Sequence, residues 1–331
     1  METQSTSSGL SGPKDRPAVL KVALLSFFTR WGPLVILLLL CAVIGLIQPR
    51  FLTFSNIINV LHRSATLLIV AMGMTFVILT AGIDLSVGGV MGLAGAVLVG
   101  ASRLPVVEHF ALAAALLLGA AVGCGNAFMV TRFRMAPFVV TLATMAITRS
   151  ITWVYTGGNP LTGVPSYVAF LGRGHVGPFP PAILLALVLF LILGVLLQKT
   201  RFGTYTYGIG ANNEAARRFG VDVRRHLLKV YALSGALAAV AGVIISARLN
   251  SAYPNTGEDY ELMAIAAVIV GGSNLFGGEG RLIGTLFGVL IIEVIRNGLN
   301  LIGINVFWHK ALLGFIILIA VISRTLASRE S

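Results

Sequence analysis

The stretch AGIDLSVGG at positions 81–89 sets one carboxylate, Asp84, inside a run from Ser64 to Ser102 that carries no other charge. An acid in that setting can cap the free N–H groups of a helix start, gate a transport route, or bind a coupling proton or cation. As one helix the run would be about 58 Å long, so it makes two crossings of a bilayer. Asp84 is therefore expected near the turn between them, toward the cytoplasmic side and not necessarily at mid-membrane. There it can cap a helix starting at Leu85 by accepting the Ser86 or Val87 N–H, while Gly82, Gly88 and Gly89 permit tight backbone passage. Glu293 and Arg296 are spaced to pair on one helix face near the outer boundary, and Glu261 opens an apolar helix where the dipole favours an acid. The five histidines are scattered without ligand spacing, so no metal site is expected. Cys41 and Cys124 lie in apolar runs and read as packing residues. No nucleophile stands beside a base, so no catalytic residue is expected. No G-x-x-x-x-G-K-[ST] loop is present to cradle nucleotide phosphates.

A second stretch, between Lys199 and Lys229, is polar and basic, and its centre NNEAARRFG reads as a short helix. Asn212 or Asn213 can cap it, Glu214 suits the first turn, Ala215 and Ala216 favour helix, and Gly220 ends it. Composition leaves two uses open: a docking knob parallel to the membrane, or a basic loop on anionic lipid headgroups.

The elements that must position these residues are membrane helices. The 331 residues are 56% hydrophobic and 11% charged, with a mean hydropathy of +0.92, far below the charge content of a soluble domain. Apolar runs place helices near 24–47, 62–82, 85–102, 109–130, 136–155, 179–197, 227–248, 260–272, 281–297 and 307–323. The fold expected is thus all-α: a polytopic membrane bundle of about ten transmembrane helices with Gly-rich breaks. Residues 1–22 form a disordered cytoplasmic tail, 23–324 the membrane domain with a cytoplasmic loop at 198–229, and 325–331 a second cytoplasmic tail. The net charge of +12 would suggest nucleic acid in a soluble chain, but here two thirds of Lys and Arg fall in segments on one side, which reports orientation. The Gly-rich breaks at 82–89 and 271–281 fall in corresponding places in the two halves and suggest internal duplication around a transport path. Gly119-x-x-x-Gly123 and Gly284-x-x-x-Gly288 suit close helix contacts instead.

The pattern Glu-Ala-Ala-x-x-x-Gly resembles the EAA loop of ABC importer permeases, without its usual Ile-x-Leu-Pro continuation. Together with GMTFVILTAGIDLSVGG (73–89), NNEAARRFGVDV (212–223), YELMAIAAVIVGGSNLFGGEGRLIGTLFG (260–288) and NGLNLIG (297–303), the chain resembles the permease subunits of ribose-type monosaccharide ABC importers from about residue 35 to 323. That family also serves other pentoses, hexoses, polyols and autoinducer-2.

The resemblance implies a subunit of a bacterial inner-membrane importer with both termini cytoplasmic. It implies pairing with a second permease copy or homologue, a cytoplasmic ABC ATPase that binds ATP and Mg, and a periplasmic or lipid-anchored sugar-binding protein. Coupling to the ATPase then falls on Asn213, Glu214, Ala215, Ala216, Arg217, Arg218 and Gly220. Docking of the binding protein falls on outer loops carrying Arg173, Arg248, Glu258 and Asp259. Asn126, Thr141, Thr144, Asn297 and Asn300 are candidates for a wet polar sugar path, and each could equally serve helix-to-helix hydrogen bonding. The competing function is an ion-coupled secondary transporter or channel that uses Asp84.

Overall fold

The computed structural model describes residues 16–103, 107–305 and 307–327; of the expected tails, 1–15 and 328–331 lie outside the described residues, while 16–22 and 325–327 are helical instead. Helix α1 (Arg16–Ile47) leads through a short 3-10 turn into α2 (Phe54–Leu79). Then come α3 (Val87–Ala101), α4 (Ala111–Phe133), α5 (Pro137–Thr156), α6 (Ser166–Arg173) and α7 (Pro181–Lys199). The segment expected as a loop with one short helix holds two, the unforeseen α8 (Arg201–Ala211) and the expected α9 (Asn213–Arg218). The chain closes with α10 (Val223–Leu249), α11 (Tyr260–Val270), α12 (Leu282–Ile302) and α13 (Phe307–Ala327). The strands β1 (Leu161–Thr162) and β2 (Ser251–Ala252) form one small antiparallel pair.

An all-helical bundle follows from composition, because lipid offers backbone groups no partner outside helix or closed barrel. Among the described residues, α2, α4 (with the turn before it), α5, α7, α10 and α12 are long and apolar enough to cross a membrane. The expected count of about ten also included α3 and α11, which have 15 and 11 residues. These span about 22 and 16 Å, less than the ~30 Å of hydrocarbon. Other boundaries moved outward: α1 begins at Arg16 rather than 24, and α2 at Phe54 rather than 62. Hydropathy misses such helix ends because Arg16 and Lys21, or Ser55, Asn56 and Asn59, interrupt the apolar run while the backbone still bonds within the helix.

Helices α2 and α10 form the centre. From Ser64 to Leu79 every residue of α2 is buried, which fits a stretch that is apolar on all sides. Since lipid tails are as apolar as leucine, close packing and interhelical hydrogen bonds hold such a bundle. Both small-residue motifs serve this purpose. A Cβ on Gly123 would overlap the Tyr231 carbonyl oxygen of α10, and one on Gly288 would overlap the Ala267 carbonyl oxygen of α11. Buried hydroxyls add a cross-link, with Thr75 and Thr285 Oγ1 at 2.8 Å.

Two corners organise one end of the bundle. After α2, Ala81 adopts a left-handed backbone (φ 61°), and the chain turns back toward α3. Between α11 and α12, residues 271–281 make the second corner. The Gly278 N–H donates to the Leu79 carbonyl (3.0 Å), and the Tyr207 hydroxyl of α8 donates to the Gly280 carbonyl (2.9 Å). Both corners and α8 are thereby joined.

Candidate functional site

Asp84 is fully buried, 0% exposed. Its Oδ1 accepts the Ser86 N–H (3.0 Å) and the Ser86 hydroxyl (2.6 Å), and its Oδ2 accepts the Ser234 hydroxyl of α10 (2.8 Å). Ser86 Oγ in turn accepts from Asn126 Nδ2 of α4 (2.9 Å), and Asn126 Oδ1 accepts from Thr144 Oγ1 of α5 (2.6 Å). Thr141 Oγ1 reaches the Ile83 carbonyl at 3.1 Å, sharing its proton with the Pro137 carbonyl at 3.0 Å. One continuous network thus ties the break to α4, α5 and α10. The Ser86 N–H and both hydroxyls lie within hydrogen-bond distance of the carboxyl group, so its hydrogen-bonding capacity is met inside the bundle.

The carboxylate lies deeper than expected. Ser234 is eleven residues from the start of α10, about 16 Å along the helix. A Cβ on Gly73 would come within 2.9 Å of Ser234 Cα, so Asp84 sits level with Gly73, six residues before α2 ends at Leu79. The segment 80–86 therefore re-enters the bundle before α3 begins at Val87, two residues later than expected. Gly88 and Gly89 then pass close to α11 and α5: a Cβ on Gly88 would overlap Glu261 Oε2, and one on Gly89 would overlap Thr148 Oγ1.

The five candidate path residues divide. Asn126, Thr141 and Thr144 belong to the Asp84 network. Asn297 does not: it exchanges amide hydrogen bonds with Asn56 of α2 (2.9 and 3.0 Å). Asn300 is exposed at the far end of α12, a helix that packs on α1, α2 and α11. Asn56 lies in the first turn of α2, outside the helix expected from hydropathy, so the pair was not foreseen. The structure also brings together Arg149 of α5 and Glu261 of α11, with Nη2 and Oε1 at 2.7 Å. Their separation of 112 positions carries no sequence signal, although an arginine inside the apolar run of α5 was visible. Glu293 and Arg296 pair at 3.0 Å as spaced.

At the joined end, α9 stands out as a knob. Asn212 Oδ1 accepts the Ala215 N–H (2.9 Å) as an N-cap, and Arg217 Nε donates to Asn213 Oδ1 (3.2 Å). At the other end Gly220 takes a left-handed backbone (φ 82°) that glycine adopts freely. Ala216 is buried beneath the helix, while Glu214 and Arg218 side chains are exposed. Phe219, not singled out from sequence, is 88% exposed. A cavity of about 500 Å³ beside the knob is lined by Thr131, Arg134, Asn213, Arg217 and Arg224. Nearby, burial raises the Tyr207 phenol above its ordinary value, with Arg281 pulling the other way.

At the opposite end the candidate docking residues are partly engaged within the chain. Arg173 Nη2 donates to Asn250 Oδ1 (3.1 Å). Lys310 of α13 pairs with both Glu258 (3.0 Å) and Asp259 (2.9 Å). Arg248 lies in the last turn of α10, and Gly172 of α6 packs directly on its backbone.

Comparison with known proteins gives this architecture a context. Residues 56–321 match the family described as branched-chain amino acid transport system / permease component. The chain is 46% identical over 294 residues to the ribose import permease protein of Bacillus subtilis, covering 88% of this chain and 91% of the relative. It is 36% identical to the D-allose transport system permease protein of Escherichia coli over 92% of this chain and 94% of that one. The galactose/methyl galactoside import permease protein of Escherichia coli is 37% identical over 92% and 96%. No solved structure matches the chain. With a helical membrane bundle matched along most of its length, the chain belongs to this family of transport-system permease components.

Proposed function

We propose that the chain is the membrane-spanning subunit of an ATP-driven importer for a monosaccharide or sugar-like solute, working by alternating access. Similarity to ribose, allose and galactose permeases supports the solute class. The observation that carries coupling is the α9 knob, capped at both ends and exposing Glu214, Arg218 and Phe219. A capped helix of six residues followed by an exposed aromatic is suited to a groove on a cytoplasmic ATPase, which supplies the ATP and Mg chemistry. In this reading α9 and both termini face the cytoplasm of a bacterial inner membrane. A second permease copy or homologue completes the channel, and a periplasmic or lipid-anchored sugar-binding protein delivers solute to the opposite end. ATP-driven closure of the ATPase moves the bundle as rigid bodies.

The test is uptake by proteoliposomes that hold the chain with its ATPase and binding protein. Labelled sugar should accumulate only with ATP inside, and Phe219→Ser should cut uptake at least fivefold while leaving the bundle's melting temperature unchanged. Uptake by this chain alone, driven by an ion gradient and indifferent to ATP, would overturn the reading.

A further inference from the structure

The end of the bundle opposite α9 holds two arginines, Arg63 and Arg248, whose charge the described residues do not balance. A cavity of about 310 Å³ between α2, α6, α7 and α10 is lined by His62, Arg63, His175 and Arg248, with no acid among its described lining residues. Arg63 and Arg248 also line an adjoining cavity of about 230 Å³, together with Glu293 and Arg296. Glu293 is already held by Arg296 at 3.0 Å. Three guanidiniums therefore face one carboxylate, and that carboxylate is engaged. Among the described residues neither Arg63 nor Arg248 has an ion-pair partner, and His62 Nε2 is buried without a hydrogen-bond partner.

Like charges gathered in a partly enclosed space repel one another unless an anion lies between them. Guanidinium forks match the tetrahedral oxygens of a phosphate group, each offering two parallel donors. The walls are fixed in place: Gly172 seats the end of α6 directly on the Arg248 backbone, and a Cβ there would overlap it. His62 lies eight residues, about 12 Å, into α2 and its Nε2 is buried, so the floor of the site is recessed while Arg63 stands on its exposed rim.

We infer that the cavity around Arg63 and Arg248 binds a phosphate group, carried by a lipid headgroup or by free phosphate. The bound group compensates the charge that the chain leaves unpaired and ties α2 to the α6–α10 corner.

The full-length permease, purified in detergent and stripped of lipid, tests this in two arms. One titrates inorganic phosphate against melting temperature. The other titrates short-chain phosphatidylglycerol, with an uncharged diacylglycerol as reference, and counts bound molecules by native mass spectrometry. Wild type should bind in at least one arm, and the arm that responds identifies the source. Arg63→Gln and Arg248→Gln should each weaken that binding at least tenfold. Arg103→Gln, which removes an arginine from the same end but outside the cavity, should leave it unchanged. If Arg248→Gln cannot be purified, Arg63→Gln on the exposed rim carries the same test. No binding by wild type in either arm, or wild-type binding by the Arg63 variant, overturns the inference.

Discussion

Replacing Asp84 separates a structural anion from a working one. The carboxylate accepts three hydrogen bonds, from the Ser86 N–H, the Ser86 hydroxyl and the Ser234 hydroxyl. Asp84→Ala removes all three and strands donors in a fully buried place, at about 1–3 kcal/mol each before the hydroxyls rotate to other acceptors; a net loss of roughly 3–5 kcal/mol follows. Unfolding entropy of about 2.1 cal/mol/K per residue gives about 0.7 kcal/mol/K for the chain, so the melting temperature should fall by about 4–7 °C. Asp84→Asn keeps the Oδ1 acceptor for Ser86, and its amide can donate to Ser234 Oγ. It forfeits only charge assistance, about 1 kcal/mol, or below about 2 °C. Thermal unfolding in detergent, read by the size-exclusion peak of the folded species, measures both. Asp84→Ala melting within 1 °C of wild type, or Asp84→Asn falling as far as Asp84→Ala, would refute the reasoning. Sugar uptake by the Asn variant should also stay near wild type, whereas a proton or cation site would be lost with the charge.

Other expectations rest on separate contacts. Gly123→Ala drives a methyl into the Tyr231 carbonyl of α10 and should cost about 1–3 kcal/mol, while Gly125→Ala, two residues along the same helix, meets open space and should be neutral or slightly stabilising. Paired melting curves check the contrast. Arg149→Met leaves Glu261 buried and unpaired; because Arg149 is itself 34% exposed, a loss of about 1–3 kcal/mol is expected, and Arg149→Met with Glu261→Met should recover part of it in a double-mutant cycle. Tyr207 titrates above its ordinary value because its neutral form is the buried one. Its contribution is full below the ordinary tyrosine pKa of about 10 and is lost as pH rises through the raised folded value, so Tyr207→Phe should flatten the alkaline side of the stability profile.

Much of the bundle was legible as apolar length, and the α9 cap could be read from NNEA because capping is local chemistry. Depth was not legible. Counting 64–102 as two crossings assumed that both run the full thickness, whereas α3 is short and the chain before it folds back inward. Asn297 and Asn300 were grouped with Asn126 only as polar groups in or beside apolar runs, whereas α12 packs on α1, α2 and α11 and α4 packs on α3, α5 and α10. Pairs such as Arg149 with Glu261, or Asn56 with Asn297, depend on which helices are neighbours, and hydropathy says nothing of that. The four-motif resemblance went further than any single residue because it carried the arrangement of the whole chain with it.

The bond from Gly278 to Leu79, with Tyr207 held on Gly280, has a mechanical meaning. A lever works only if its bearing does not yield, and here the short arm, α8 with α9, is pinned to both elbows of the bundle at once. In the proposed coupling, a push on the knob would reach both elbows together through these contacts, with the buried Asp84 network a few residues above them.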